Sequence, residues 1–142
     1  MADITTQRMG EILRRVFELL WFEPDGLPVH EIFEHFSKSS QLSEYERGYF
    51  PFAVSSPRYE VLIRIATIPL VKANWLVKTP KGRWYITDKG RKASKQYLDA
   101  EQFFEEAIRQ YRDWKSGEEK RLRYINSITK YEAEENSWGQ IY

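Results

Sequence analysis

Residues 55–92, SSPRYEVLIRIATIPLVKANWLVKTPKGRWYITDKGRK, change their hydrophobic period twice, and those changes decide how the chain folds. In the first part, Val61, Leu62, Ile63, Ile65, Ala66, Ile68, Leu70 and Val71 cover most of a helix circumference, leaving a narrow polar stripe through Glu60, Arg64 and Thr67. A helix that is apolar on most sides is expected to be buried on most sides. Ser56 can cap orphan N–H groups, Pro57 suits the first helical position, and Glu60 lies near the positive end of the helix dipole, so the helix is read as starting at Pro57. Pro69 removes one backbone donor and predicts a bend near 65–68, with the helix resuming to end near Asn74.

After Asn74 the period becomes alternating. Trp75, Leu76, Val77, Lys78 and Thr79, then Pro80-Lys81-Gly82-Arg83, then Trp84, Tyr85, Ile86 and Thr87, give two aromatic and β-branched runs around a Pro/Gly turn, which is a hairpin pattern. A further helix starts at Thr87-Asp88 and runs to about Leu98. Lys78, Lys81, Arg83, Lys89, Arg91, Lys92 and Lys95 face one acid in this stretch, Asp88. A buried helix followed by a basic hairpin is the order of a winged helix-turn-helix, a mainly α (α+β) fold.

Upstream, Met9, Ile12, Leu13, Val16, Phe17 and Leu20 recur at steps of three and four, predicting an amphipathic helix over 6–21. Phe22-Glu23-Pro24-Asp25-Gly26 is turn chemistry, and Pro28 opens a second helix, with Val29, Ile32, Phe33 and Phe36 on one side, ending near Lys38. Residues 44–56 are read as an ordered loop in which Tyr45, Tyr49, Phe50 and Phe52 pack against the helices.

Downstream, Phe103, Phe104, Ala107, Ile108, Tyr111 and Trp114 share one helical face, and Ser116-Gly117 is expected to interrupt it. Tyr124, Ile128, Tyr131, Glu135, Trp138 and Tyr142 then repeat at steps of four and three, a helical seam that needs a partner. This gives a winged-helix domain over 1–98 and a helical extension over 99–142. The extension is expected to lead into a further C-terminal domain, and a homodimer through the C-terminal helices is one expected use of the seam.

Composition bounds the remaining classes. At 142 residues, with 42% hydrophobic and 15% aromatic content, the chain can bury a core. No apolar run reaches the ~18 residues of a membrane span. Zero cysteines exclude a disulfide framework and a thiolate metal site, and the first residues, MADITTQR, lack an apolar signal region, so a cytoplasmic location is expected. Net charge is only +1, but residues 1–50 hold five Lys/Arg against nine Asp/Glu, residues 51–99 ten against three, and residues 100–142 seven against nine. A basic module between acidic flanks is the footprint of a duplex-binding face; a merely solvated basic face is the alternative.

Two motifs invite catalytic readings and fail. His30 and His35 are five apart on a helix, so their imidazoles diverge by about 140°, and no third metal ligand lies nearby. Pro24-Asp25 and Glu118-Glu119-Lys120 carry the letters of a metal-dependent nuclease, but the first sits in a turn and the second at an expected helix start, not on one strand hairpin. The chain has no G-x-S-x-G and no Gly-rich phosphate loop, so no catalysis and no cofactor are assigned to it.

The basic hairpin remains. Gly82 lets the backbone approach a phosphate, Lys78, Lys81 and Arg83 flank it, and Lys89, Arg91 and Lys92 follow. From the central helix, Ser56, Arg58, Glu60, Arg64 and Thr67 can present side chains to bases or phosphates. Arg58 and Arg64 are the leading donors because Arg bonds guanine bidentately. An i,i+4 pair between Glu60 and Arg64 is the alternative use of Arg64. Trp75 and Trp84 are read as packing residues.

The same residues resemble the N-terminal domain of Mrr-type restriction endonucleases, a winged-helix module in enzymes that cleave modified, chiefly methylated, DNA. The resemblance covers residues 9–98 and rests on EILRRVFELL, on Ser56-Pro57-Arg58-Tyr59-Glu60 with Arg64 inside the helix, on Lys72-Ala73-Asn74-Trp75-Leu76, and on Gly82-Arg83-Trp84-Tyr85-Ile86-Thr87-Asp88-Lys89-Gly90-Arg91. It implies that this chain binds double-stranded DNA, plain or methylated, while a separate C-terminal nuclease domain cuts it with Mg2+. Pro69 and the missing catalytic motif depart from that pattern. A protein-interaction or dimerisation module and a free-standing transcriptional regulator are the rival readings.

Overall fold

A computed structural model of the chain describes the backbone of residues 4–139 and the side chains of residues 4–130. Along it run α1 (Thr6–Leu20), β1 (Leu27–Pro28), α2 (Val29–Ser37), α3 (Glu44–Arg47), α4 (Arg58–Lys72), β2 (Leu76–Lys78), β3 (Arg83–Ile86), α5 (Asp88–Gln96) and α6 (Ala100–Gly139). The molecule is mainly helical with one small antiparallel sheet, ordered β1-β3-β2.

The α1 helix starts where Thr5 accepts a hydrogen bond from the Arg8 N–H, and its Met9, Ile12, Leu13, Val16, Phe17 and Leu20 are all buried, as the spacing predicts. They meet α4 and the first turns of α6. Phe103 and Ala107 of α6 are fully buried in the same core as Ile12, Ile63 and Trp75. Phe103 stands edge-on to Phe17 at 5.1 Å and lies against Trp75 at 5.1 Å. The core thus runs across the division expected at residue 98. That expectation took the break between α5 and α6 for a domain boundary, whereas it is only a corner. Gly10 makes the corner compact: a Cβ there would lie 2.0 Å from the Ala100 carbonyl oxygen, so only glycine lets α6 begin against α1. Arg14 closes the other side, its Nη1 donating to the Ser94 and Tyr97 carbonyls at the end of α5.

Several boundaries depart from the sequence reading. Pro57 is the N-cap of α4, not its first residue, and Ser56 makes no capping bond. The helix continues through Pro69 to Lys72, and the Ile65 carbonyl that Pro69 leaves without a helical donor sits on a solvent-exposed stripe. Asn74 (φ 62°) then stops it, with the Trp75 N–H donating back to the Leu70 carbonyl at 2.9 Å. Pro28, read as the start of the second helix, instead pairs with Arg83, and Leu27 before it with Trp84, as β1.

Residues 44–56, expected as a loop, open with a short helix, α3. Ser43 and Glu46 form a capping box, the Ser43 side chain accepting from the Glu46 N–H and Glu46 accepting from the Ser43 N–H. Glu46 is only 3% exposed and takes two further bonds from Arg8 of α1, at 2.8 and 2.9 Å, which hold its carboxyl below the usual carboxylate range. In the same segment Tyr49 and Phe52 are exposed, contrary to the packing expected of them; Tyr45 and Phe50 are half-buried.

Ser116-Gly117 does not interrupt α6, which is one helix of 40 residues. The Glu118-Glu119-Lys120 run therefore lies inside a helix and not at its start. Of the seam expected to need a partner, Tyr131, Glu135, Trp138 and Tyr142 have side chains outside the described residues. No helix among the described residues is long and apolar enough to cross a membrane.

Candidate nucleic-acid interface

The hairpin forms as expected, with Leu76 opposite Ile86, Val77 opposite Tyr85 and Lys78 opposite Trp84. Its tip is fixed by three bonds: Gly82 N–H to the Thr79 carbonyl at 3.0 Å, Thr79 N–H to the Arg83 carbonyl at 2.8 Å, and Arg83 N–H to the Thr79 hydroxyl at 3.0 Å. Gly82 takes φ +84°, a left-handed value that suits glycine, and a Cβ there would meet nothing within 4 Å. The Cα side of Gly82 is therefore open to an approaching group, while its N–H is held by Thr79 and its carbonyl accepts from the Val29 N–H at 2.9 Å. Lys81 is exposed beside it. Arg83, also exposed, is partly committed: its Nε and Nη2 donate to the Asp25 and Gly26 carbonyls at 3.3 and 3.0 Å and tie the hairpin to the turn before β1.

Lys78 joins the hairpin to α4. Its Nζ lies 4.7 Å from the Trp84 ring centroid and 3.4 Å from the Arg64 carbonyl oxygen. Burial, aided by the nearby Arg64 charge, pushes its ammonium down to about 8. Arg64 itself is exposed, with its guanidinium 5.0 Å over the Phe33 ring of α2. No ion pair joins it to Glu60 among the described residues. Glu60 is half-buried, and burial raises its carboxyl despite the Arg64 charge. Arg64, Lys78 and the hairpin tip are the part of the expected site that the fold brings together.

Two expected contacts are corrected. Thr67 is fully buried, its hydroxyl donating to the Arg64 carbonyl at 2.8 Å, so it cannot reach a ligand. Arg58 does not face outward as a base donor: its guanidinium lies 4.2 Å over Tyr45 and 5.3 Å over Phe50, and Nη1 donates to the Tyr45 carbonyl. Its work is to fasten the 44–56 segment onto α4, which α-helical periodicity could not show because the aromatic partners lie outside the helix. Ser56 is half-buried in the bend before α4.

The polar stripe expected on α4 is also misplaced. Its solvent face runs through Arg64, Ile65, Ile68 and Lys72, with Ile65 57% and Ile68 43% exposed. Taking all eight aliphatic residues as core overlooked that a helix at the edge of a small domain has a free side. The α5 cations form a second group. Lys89 and Lys92 are exposed, while Arg91 and Lys95 lie 4.8 and 5.7 Å over Trp21, at the end of α1.

Elsewhere, His30 is exposed on α2, and the His35 Nε2 lies 2.9 Å from an Arg15 Nη2. Among the described residues no three metal-ligating side chains come together. No protein-family model matches the chain, no curated protein matches it, and no solved structure matches it.

Proposed function

We propose that the chain is a winged helix-turn-helix module that binds duplex DNA, with the β2-β3 hairpin as its wing and α4 as its recognition helix. The order helix, strand, three helices, strand, strand, with the sheet arranged β1-β3-β2, supports that fold. The observation that carries the function is the juxtaposition of an open basic hairpin tip, Lys81-Gly82-Arg83, with Arg64 on the exposed face of α4, linked through Lys78. Phosphates along a duplex would be met by the wing and Arg64 would reach a groove. Lys89 and Lys92 extend the positive field from α5. On its resemblance to Mrr-type enzymes, the chain would act as the cytoplasmic recognition part of a modification-dependent restriction endonuclease, with Mg2+-dependent cleavage in a separate domain.

Fluorescence anisotropy with a short duplex, plain and cytosine-methylated, across a salt series tests this. Affinity should fall with a log–log slope of about −3 to −5, and Lys81→Ala should reduce that slope by about 1 on both duplexes. Arg64→Ala should alter the preference between duplexes. Binding weaker than about 100 μM at low salt would remove the reading.

A second reading has its own observation. Ile65 and Ile68 put an apolar stripe on the face that a base-reading helix would offer to the groove, which favours a protein-interaction module. Ile65→Ser with Ile68→Ser should leave DNA affinity within about threefold if phosphates supply most of the binding.

A further inference from the structure

Between α2 and α4 runs a groove of about 400 Å³, with buried Phe33 and Tyr59 at its base, His30 and Glu34 on the α2 rim, and Glu60 and Arg64 on the α4 rim. Two of its polar groups are already committed. The Tyr59 hydroxyl donates to the Phe33 carbonyl at 3.3 Å, and the Glu34 carboxylate accepts from Lys38 at 3.0 Å. Glu60 and Arg64 are not committed. Among the described residues neither of their charged ends has a hydrogen-bond or ion-pair partner; the bonds at Arg64 go to its backbone carbonyl. A half-buried carboxylate without a donor carries a desolvation cost that nothing in the groove offsets, and burial raises the Glu60 carboxyl accordingly. The Arg64 guanidinium rests over the Phe33 ring, which orients it while leaving its N–H groups unfilled.

Glu60 and Arg64 stand four residues apart, on one face of α4 and ~6 Å apart along its axis. Their chemical complement is a pair of adjacent acceptors next to an amino donor. In the major groove guanine alone offers two acceptors, O6 and N7, to a planar fork. Cytosine offers its N4 amino group with no acceptor of its own there, whereas adenine sets N7 beside its amino group and so disfavours a carboxylate. At ~3.4 Å per base pair, side chains rooted ~6 Å apart meet neighbouring pairs. Resting on the duplex-binding reading above, we propose that Glu60 is a base-selecting residue, accepting from the N4 amino group of a cytosine while Arg64 holds a guanine on the adjacent pair. The carboxylate also weakens binding to every duplex that lacks that amino group, which is selectivity by repulsion.

The full chain is mixed at low salt with duplexes randomised over about six central base pairs, and the bound fraction is sequenced. It should be enriched in two neighbouring G·C pairs, by about tenfold at each. Glu60→Gln should keep the guanine and move the neighbouring cytosine to adenine, because a carboxamide bonds adenine N6 and N7 together. Glu60→Ala should lose the cytosine preference yet bind the unselected pool at least as tightly as the unaltered chain, which also shows that the variant is folded. Arg64→Ala should lose the guanine. A pool bound without base preference, or a cytosine preference that both Glu60 variants keep, would overturn the proposal and leave the duplex reading intact. No binding of the pool by the unaltered chain would remove that reading and this proposal together.

Discussion

The two ends of α6 are one continuous helix held by different means. From Phe103 to Ala107 it is part of the core, enclosed by α1, α4 and Trp75. From 119 to 130 every side chain meets solvent. The first end lies in the folded head and needs no particular helix propensity because packing fixes it; the second has backbone hydrogen bonds and surface ion pairs. Substitutions should therefore have unequal effects on folding at the two ends.

The largest contrast is between Phe103→Ala and Ile125→Ala. Removing a fully buried ring that touches Phe17 and Trp75 should cost the head about 3–5 kcal/mol in chemical denaturation. Ile125→Ala should leave that transition unchanged within ~0.5 kcal/mol. Equal losses would mean that the distal helix folds onto the head.

The same contrast holds for charges. Breaking the Arg8–Glu46 pair with Glu46→Gln should cost about 2 kcal/mol, less than the 3–5 of a fully buried pair because Arg8 keeps some solvent contact. Arg121→Gln, which breaks an exposed pair, should cost well under 1 kcal/mol. The pH dependence of stability separates them further. Since the folded-state pKa of Glu46 lies below its unfolded value of ~4.3, its stabilisation is present above that value and is lost as pH falls through the folded pKa. Glu46→Gln should flatten this part of the acid limb of an unfolding curve taken between pH 5 and 2, and a curve of unaltered slope would show the pair to be idle.

Lys78 brings the contrast into the proposed interface, because it is half-buried against Trp84 while Lys81 is exposed. Its ammonium, pushed down to about 8, loses its proton as pH rises from 7 to 9, and a phosphate partner favours the protonated form. DNA affinity should fall over that interval by at most about tenfold per pH unit, and Lys78→Met should remove the dependence. A flat profile for the unaltered protein would place the phosphates away from Lys78.

How much of this could be read in the sequence follows from the same division. The α1 pattern, the hairpin and its Gly82 turn, and the helix after Thr87 were legible because each carries a period or a turn residue with one physical meaning. β1 was not: two residues have no period, and Leu27 and Pro28 become a strand only because β3 offers an edge. α3 was legible in principle, through the Ser43-x-x-Glu46 box, and was passed over in favour of the surrounding loop residues. Of the candidate site, Arg64 and Lys81 could be placed from spacing alone. Arg58 and Thr67 could not, since which side of α4 faces solvent depends on Tyr45, Phe33 and α6, all distant in sequence. The apolar run of α4 concealed its free face for the same reason.

Gly117 gives the smallest and most local version of the contrast. It was expected to break the helix, yet α6 passes through it, and a Cβ there would touch nothing within 4 Å. Glycine costs an exposed helix interior about 1 kcal/mol relative to alanine, through the backbone freedom it surrenders. In a packed helix that cost is absorbed by tertiary contacts, as at Gly10, where alanine cannot fit. At Gly117 nothing packed absorbs it, so Gly117→Ala should raise helicity beyond that point by roughly 0.5–1 kcal/mol of local stability, read as slower amide exchange from 118 to 130. The head should show no change. Gly10→Ala, the same chemical change, should instead destabilise the head, because the added methyl meets the Ala100 carbonyl. If Gly117→Ala slowed exchange throughout the head as well, the two ends of α6 would be one cooperative unit, and the contrast drawn from their exposure would fail.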